Sequence, residues 1–119
     1  MTRPLAAGLL AMLAACATAR PVDVREFGAR GDEERRVLRG LSDLRTLQMV
    51  YQARNGRFAT SVDELRRVGW EEADFGAYRP VVTDAGSRVC VAMLPTGERR
   101  PAWSMGHDGG LFRGARCGR

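Results

Sequence analysis

The sequence predicts an α+β domain in which a long N-terminal amphipathic helix packs on a small antiparallel four-stranded meander. Two periods carry that prediction. Between Asp32 and Arg54, the residues Val37, Leu38, Leu41, Leu44, Leu47, Val50 and Tyr51 recur at three- and four-residue spacing, which places them on one stripe of a helix. From Tyr78 onward the apolar period falls to two, in short runs separated by turn clusters. A third observation sets the scale: 119 residues, 45% hydrophobic and 28% charged, suit one small core and not a disordered chain.

The first segment, residues 1–15, reads as a signal peptide. Met1 to Pro4 carry one positive charge (Arg3), Leu5 to Ala15 are apolar or glycine throughout, and the small residues Ala14 and Ala15 stand directly before Cys16. A spanning helix needs about 20 apolar residues, and this run stops short of Arg20-Pro21, so a transmembrane anchor is disfavoured. The quartet Leu13-Ala14-Ala15-Cys16 resembles the lipobox of bacterial lipoproteins, where signal peptidase II cuts before a cysteine that has received a diacylglycerol. The resemblance implies that Cys16 is the lipidated first residue of the mature chain. Several acyl chains would then hold it to a bilayer, at about 0.8 kcal/mol per buried methylene. Ala17 stands where an aspartate favours inner-membrane retention in enterobacterial lipoproteins. Its identity points to the periplasmic face of the outer membrane, with the inner membrane as the alternative.

Residues 16–31 contain Pro21, two glycines and no sustained period, and read as a lipid-anchored tether. Residues 32–119 form the domain. Asp32 is expected to cap the long helix, with Glu33 and Glu34 in the first turn, where negative charge opposes the helix dipole. Gly40 is the internal weakness of this helix, and Asn55-Gly56 supplies its left-handed stop. Ser61-Val62-Asp63-Glu64 has the form of a capping box and predicts a short helix to about Val68. Strands are predicted at Tyr78 to Val82, Arg88 to Leu94, Ala102 to Met105 and Leu111 to Arg113. The clusters "TDAGS", "PTGERRP" and "GHDGG" turn the chain between them and make the sheet antiparallel.

The order "LRTLQMVYQARNGRFATSVDELRRVG", a loop, then "VCVAMLP" and "WSMGHDGGLFRG" resembles the globular domain of bacterial type IV pilins and type II secretion pseudopilins. The residues that carry the resemblance are Gln48, Tyr51, Asn55-Gly56-Arg57-Phe58, Ser61, Glu64-Leu65, Pro95 and Asp108-Gly109. The strongest part is the pattern Y-x-x-x-N-G-x-[FY]-x-x-S-x-x-E-L. One departure matters: pilins carry a glutamate at the fifth mature position and a long apolar helix, and a lipobox stands in that place here. The resemblance therefore implies a pilin-like domain on a lipid anchor, acting beside a pilus or secretion apparatus and not as its shaft.

Cys90 and Cys117 remain once Cys16 is acylated, and an exported chain meets a compartment where disulfides persist. A bridge between them is the reading, with two free thiols as the alternative; it also fits the disulfide-closed C-terminal loop of many pilins. His107 is the only histidine, beside Asp108 in a glycine-rich turn, and Ser104 is the sole nearby hydroxyl, so no catalytic group is assembled. Pseudopilins can bind calcium in a C-terminal loop, but "MGHDGG" offers one carboxylate plus carbonyls where calcium wants six to eight oxygens, and no metal or other cofactor is expected. Trp103 and Met105 share one face of a strand, where core is the default reading. Trp70, Trp103, His107 and Asp108 are the candidates for a partner surface.

All 19 basic residues are arginine, against 14 acids, for a net charge of +5. They are spread along the chain without interleaved aromatics, which argues against nucleic acid as a partner and fits a GC-rich genome as the source of the bias. The function expected is a non-catalytic envelope protein that makes protein–protein contacts in or beside a type IV pilus or type II secretion assembly. The alternative is a small periplasmic lipoprotein acting as an inhibitor or ligand-binding module.

Overall fold

The computed structural model describes residues 20–22, 31–71, 75–86, 88–97 and 99–118. Cys16 and the signal-like run lie outside them. The element order is β1 (Arg20–Pro21), α1 (Asp32–Asn55), α2 (Val62–Arg66), β2 (Tyr78–Ala85), β3 (Val89–Pro95), β4 (Trp103–Gly106) and β5 (Leu111–Arg113).

The long helix is therefore internal to the fold, and the expectation of an N-terminal helix on four strands is corrected. Strands β2 to β5 form the antiparallel meander, and β1 adds a fifth strand beside β5, in the order β1-β5-β4-β3-β2. Arg20 pairs with Arg113 and Pro21 with Phe112, and the Val22 amide donates to the Leu111 carbonyl at 3.0 Å. Part of the expected tether thus belongs to the sheet. An outer strand of only two residues tolerates a proline, because its missing N–H is not needed on the open side.

Helix α1 starts one residue earlier in register than a capping Asp32 requires. Gly31 occupies the cap position without a side-chain bond, while Asp32, Glu33 and Glu34 fill the first turn and Asp32 pairs with Arg35. The buried face is Val37, Gly40, Leu41, Leu44, Gln48 and Tyr51. Leu38 and Leu47 flank it half-buried. Each fully buried leucine contributes about 2 kcal/mol by leaving water. Gly40 has a packing reason: a β-carbon there would lie 2.5 Å from Met93 Cε and 2.7 Å from the Phe75 ring.

The helix exit is held by a dense set of hydrogen bonds. Gly56 takes φ 76°, the left-handed conformation that ends α1, and its amide donates to the Gln52 carbonyl at 2.8 Å. Buried Gln48 closes the returning chain with two bonds, donating to the Ala59 carbonyl at 2.8 Å and accepting from the Ala59 amide at 2.7 Å. Ser61 caps α2 by accepting from the Glu64 amide at 3.2 Å. The Glu64 carboxylate does not complete a reciprocal box. It accepts instead from the Thr60 amide at 2.9 Å, Thr60 Oγ1 at 2.7 Å, the Tyr51 hydroxyl at 2.6 Å and Arg57 Nη2 at 2.7 Å. The Arg57 guanidinium also lies 5.4 Å from the Tyr51 ring centroid.

Strand register sorts the sheet into two faces. Val91 pairs with Met105, Met93 with Trp103 and Met105 with Leu111, so these residues share the face that meets α1. Cys90 opposite Gly106, and Ala92 opposite Ser104 and then Phe112, belong to the other face. That second face carries the candidate site.

Candidate interaction surface

The turn between β4 and β5 is shaped by its own backbone. The Gly106 amide donates to the Gly110 carbonyl and the Gly109 amide to the Gly106 carbonyl, both at 3.0 Å. Asp108 Oδ1 accepts from the Gly110 amide at 3.0 Å, which leaves the His107 side chain exposed beside it. That amide holds the Asp108 carboxyl below the ordinary carboxylate value; partial burial opposes this, and the charges of His107 and Arg45 assist it. Arg45 reaches from α1 and donates Nε to the His107 carbonyl at 2.6 Å, so the long helix positions the turn.

The C-terminal segment returns to this turn through a disulfide. Cys90 of β3 is bonded to Cys117 with the α-carbons 5.8 Å apart, and the Cys117 amide donates to Cys90 Sγ at 3.0 Å. A side chain at Gly106 would crowd Asp108 Oδ1 at 3.0 Å and reach Cys117 Sγ at 4.0 Å, so glycine lets the returning segment lie close to β4. On the other side, the register of β2 shifts between Val82 and Asp84, and Thr83 Oγ1 donates to the Cys90 carbonyl at 3.3 Å.

These elements enclose a cleft of about 380 Å³ lined by Asp84, Arg88, His107, Asp108, Arg116 and the disulfide. Asp84 and Asp108 each accept from a nearby glycine amide within their turns. Arg88 and Arg116 are exposed and form no ion pair among the described residues. The cleft thus presents two available guanidinium groups and an imidazole around a rigid, disulfide-held floor. That is a chemistry of recognition by ion pairing and hydrogen bonding.

The structure brings together Cys90, Cys117, His107 and Asp108, which are spread over 28 positions of sequence if both cysteines are counted, since their separation is 27. It does not bring the tryptophans to them. Trp103 is 1% exposed in the core under α1, the default reading for it, with the Arg113 guanidinium 5.7 Å from its ring, so it drops out as a candidate for the partner surface. Trp70 is 6% exposed and stacks on Phe75 at 5.9 Å between centroids, beside a different groove. Ser104, the hydroxyl nearest His107 in sequence, is fully buried on β4.

Arg45, Arg88 and Arg116 were not singled out by sequence. Arginine is so widely spread in this chain that no local cluster marks them, and only the closure of Cys90 on Cys117 places Arg88 and Arg116 at one cleft. Among the described residues, no group of three or more His, Cys, Asp or Glu is arranged to hold a metal ion. Among the same residues, no helix is long and apolar enough to cross a membrane. Comparison of the chain with protein-family models, with curated proteins and with solved structures finds no match.

Proposed function

We propose that this chain is a lipid-anchored, non-catalytic protein of the cell envelope that makes protein–protein contacts in or beside a type IV pilus or type II secretion assembly. The observation that carries the reading is the Cys90–Cys117 disulfide, because such bonds persist in oxidising compartments and not in a reducing cytosol. It agrees with the export-like run before Cys16 and with the lipobox-like quartet Leu13-Ala14-Ala15-Cys16. The assembly is suggested by the pilin-like motif from Tyr51 to Leu65. The cleft beside the disulfide is the contact surface, with Arg88 and Arg116 as the groups that meet a partner carboxylate.

The location proposed is the periplasmic face of the outer membrane, held by acyl chains on Cys16. A second reading, a ligand-binding module or inhibitor, draws on the cleft volume of about 380 Å³, which lies within the usual range for small-ligand sites. A photo-crosslinking residue at position 116 in the producing cell separates the two. Adducts with a pilus or secretion component support the assembly reading; adducts confined to a soluble periplasmic protein, or none, contradict it.

A further inference from the structure

The stretch of chain that joins Cys16 to the sheet is short. Strand β1 begins at Arg20, so only Ala17, Thr18 and Ala19 lie between the cysteine and the first paired residue. Whatever its path, a connection of this length spans no more than about 14 Å. The pairing of Arg20 with Arg113 and of Pro21 with Phe112 fixes the chain to the domain there.

The register identifies the end of the sheet that receives this connection. Arg20, Arg113, Trp103 and Met93 form one row across β1, β5, β4 and β3, with strand spacings of about 4.8 Å. The row lies at the end where Arg99 and Arg100 connect β3 to β4. Helix α1 begins at the same end, since Arg100 Nε donates to Glu33 Oε1 at 2.8 Å. The disulfide cleft lies at the other end: Cys90 stands opposite Gly106, which is about 10 Å along β4 from Trp103. Helix α1 leads the same way, because Arg45 is bonded to the His107 carbonyl, and its 24 residues extend about 36 Å.

Surface composition decides how the domain stands. A domain lying on its side at a bilayer needs an apolar face to bury at the interface. Among the described residues, Met49 is the only large hydrophobic side chain that is exposed. Charge at the anchored end is mixed: Asp32 pairs with Arg35, Glu33 pairs with Arg100, and Glu34 is half-buried. The length of the connection, and not net attraction, therefore brings this end to the lipid, where the exposed Arg99 and Arg113 meet headgroup phosphates.

We propose that the end of the sheet carrying Arg20, Arg99 and Arg113 is a membrane-contact surface, seated on phospholipid headgroups by the short connection to Cys16. The inference rests on the reading of Cys16 as acylated. It turns the cleft of Arg88, His107 and Arg116 away from the bilayer, to the aqueous side from which a partner reaches it.

The test uses the full-length protein extracted from native membranes, its acylation read by intact mass, in phosphatidylcholine vesicles that contain a lipid with a nitroxide on its headgroup. A fluorescent amino acid stands in turn at position 99, 88 or 54, each of which is exposed, and circular dichroism verifies that every variant is folded. Quenching by the nitroxide acts at short range. It should be about threefold or more stronger at position 99 than at 88 or 54, given the lengths of strand and helix that separate them. An insertion of about 20 Gly and Ser residues between Thr18 and Ala19 should remove most of that difference. With acyl groups present, equal quenching at the three positions, or stronger quenching at 88 or 54, overturns the proposal and leaves the acylation reading standing. A difference that survives the insertion does the same. A chain without acyl groups overturns the acylation reading, and the proposal with it.

Discussion

Tyr51 on α1 donates its hydroxyl to Glu64 Oε2 on α2 at 2.6 Å, and this bond is the centre of the lock that fixes how the chain leaves the long helix. Arg57 and Thr60 bind the same carboxylate from the intervening turn. Removing the hydroxyl in Tyr51→Phe keeps the ring in the core and leaves Glu64 its other partners. We expect the thermal midpoint to fall by about 5 °C. Glu64→Ala should cost more, because Arg57 and the Thr60 amide lose their acceptor together. Thermal unfolding of the two single variants and the double variant measures the coupling, which should be non-additive.

The same carboxylate sets an acid dependence. Arg57 first, then Tyr51 and Thr60, hold the native Glu64 carboxyl far below its ordinary value of 4.5. At neutral pH the group is charged in both states, and its full contribution to stability is present. As pH falls through the ordinary value, the unfolded chain takes up a proton that the native carboxylate refuses, and stability declines until the native group protonates in its turn. Urea unfolding at pH 7, 5, 4 and 3 should therefore show a steeper loss below about pH 5 for the wild type than for Glu64→Gln.

Gly40 offers a test of sign. Alanine in a helix interior ordinarily gains about 1 kcal/mol over glycine. Here the added methyl meets Met93 Cε at 2.5 Å and the Phe75 ring at 2.7 Å. Met93 is flexible at that atom and can yield, but the ring is rigid, so overpacking should win. Gly40→Ala is expected to destabilise by about 1–2 kcal/mol in urea unfolding. A stabilised variant would show that Phe75 moves freely.

Reduction of Cys90–Cys117 should lower stability by about 3.5 kcal/mol on the chain-entropy account, given the separation of 27 residues. Because the returning segment forms one wall of the cleft, reduction should also speed proteolysis after Arg116. Cys90→Ser with Cys117→Ser should reproduce both effects in urea unfolding and in limited trypsin digestion.

Much of this architecture was legible in the residue pattern. The stripe from Val37 to Tyr51 belongs to one helix, and the four alternating runs from Tyr78 onward overlap β2 to β5, with Arg88 and Ala102 just outside their strands. What sequence missed has physical causes. Strand β1 is two residues long and includes a proline, so it has no period to detect; its pairing with β5 is a tertiary event. Asp32 looked like a cap because aspartate favours that position, but the helix extends one residue further and Asp32 bonds Arg35 instead. Gln48 interrupts the apolar stripe and is nonetheless buried, because both ends of its amide are satisfied by Ala59. For the site, the pairing of Cys90 with Cys117 was readable, whereas the joining of Arg88 to Arg116 was not, since it follows only from that closure. Alternation gave core as the default reading for Trp103, whereas Trp70, in a loop without a period, could not be assigned to core or surface; both are buried.

The central claim is that a disulfide-closed domain is exported and held at a membrane through Cys16. Intact mass of the protein extracted from native membranes, before and after reduction, tests it most directly. The account predicts a chain that begins at Cys16 bearing acyl groups and gains one hydrogen per cysteine at Cys90 and Cys117 on reduction. A mass that retains residues 1–15, or a chain beginning at or beyond Cys16 without lipid, would contradict it.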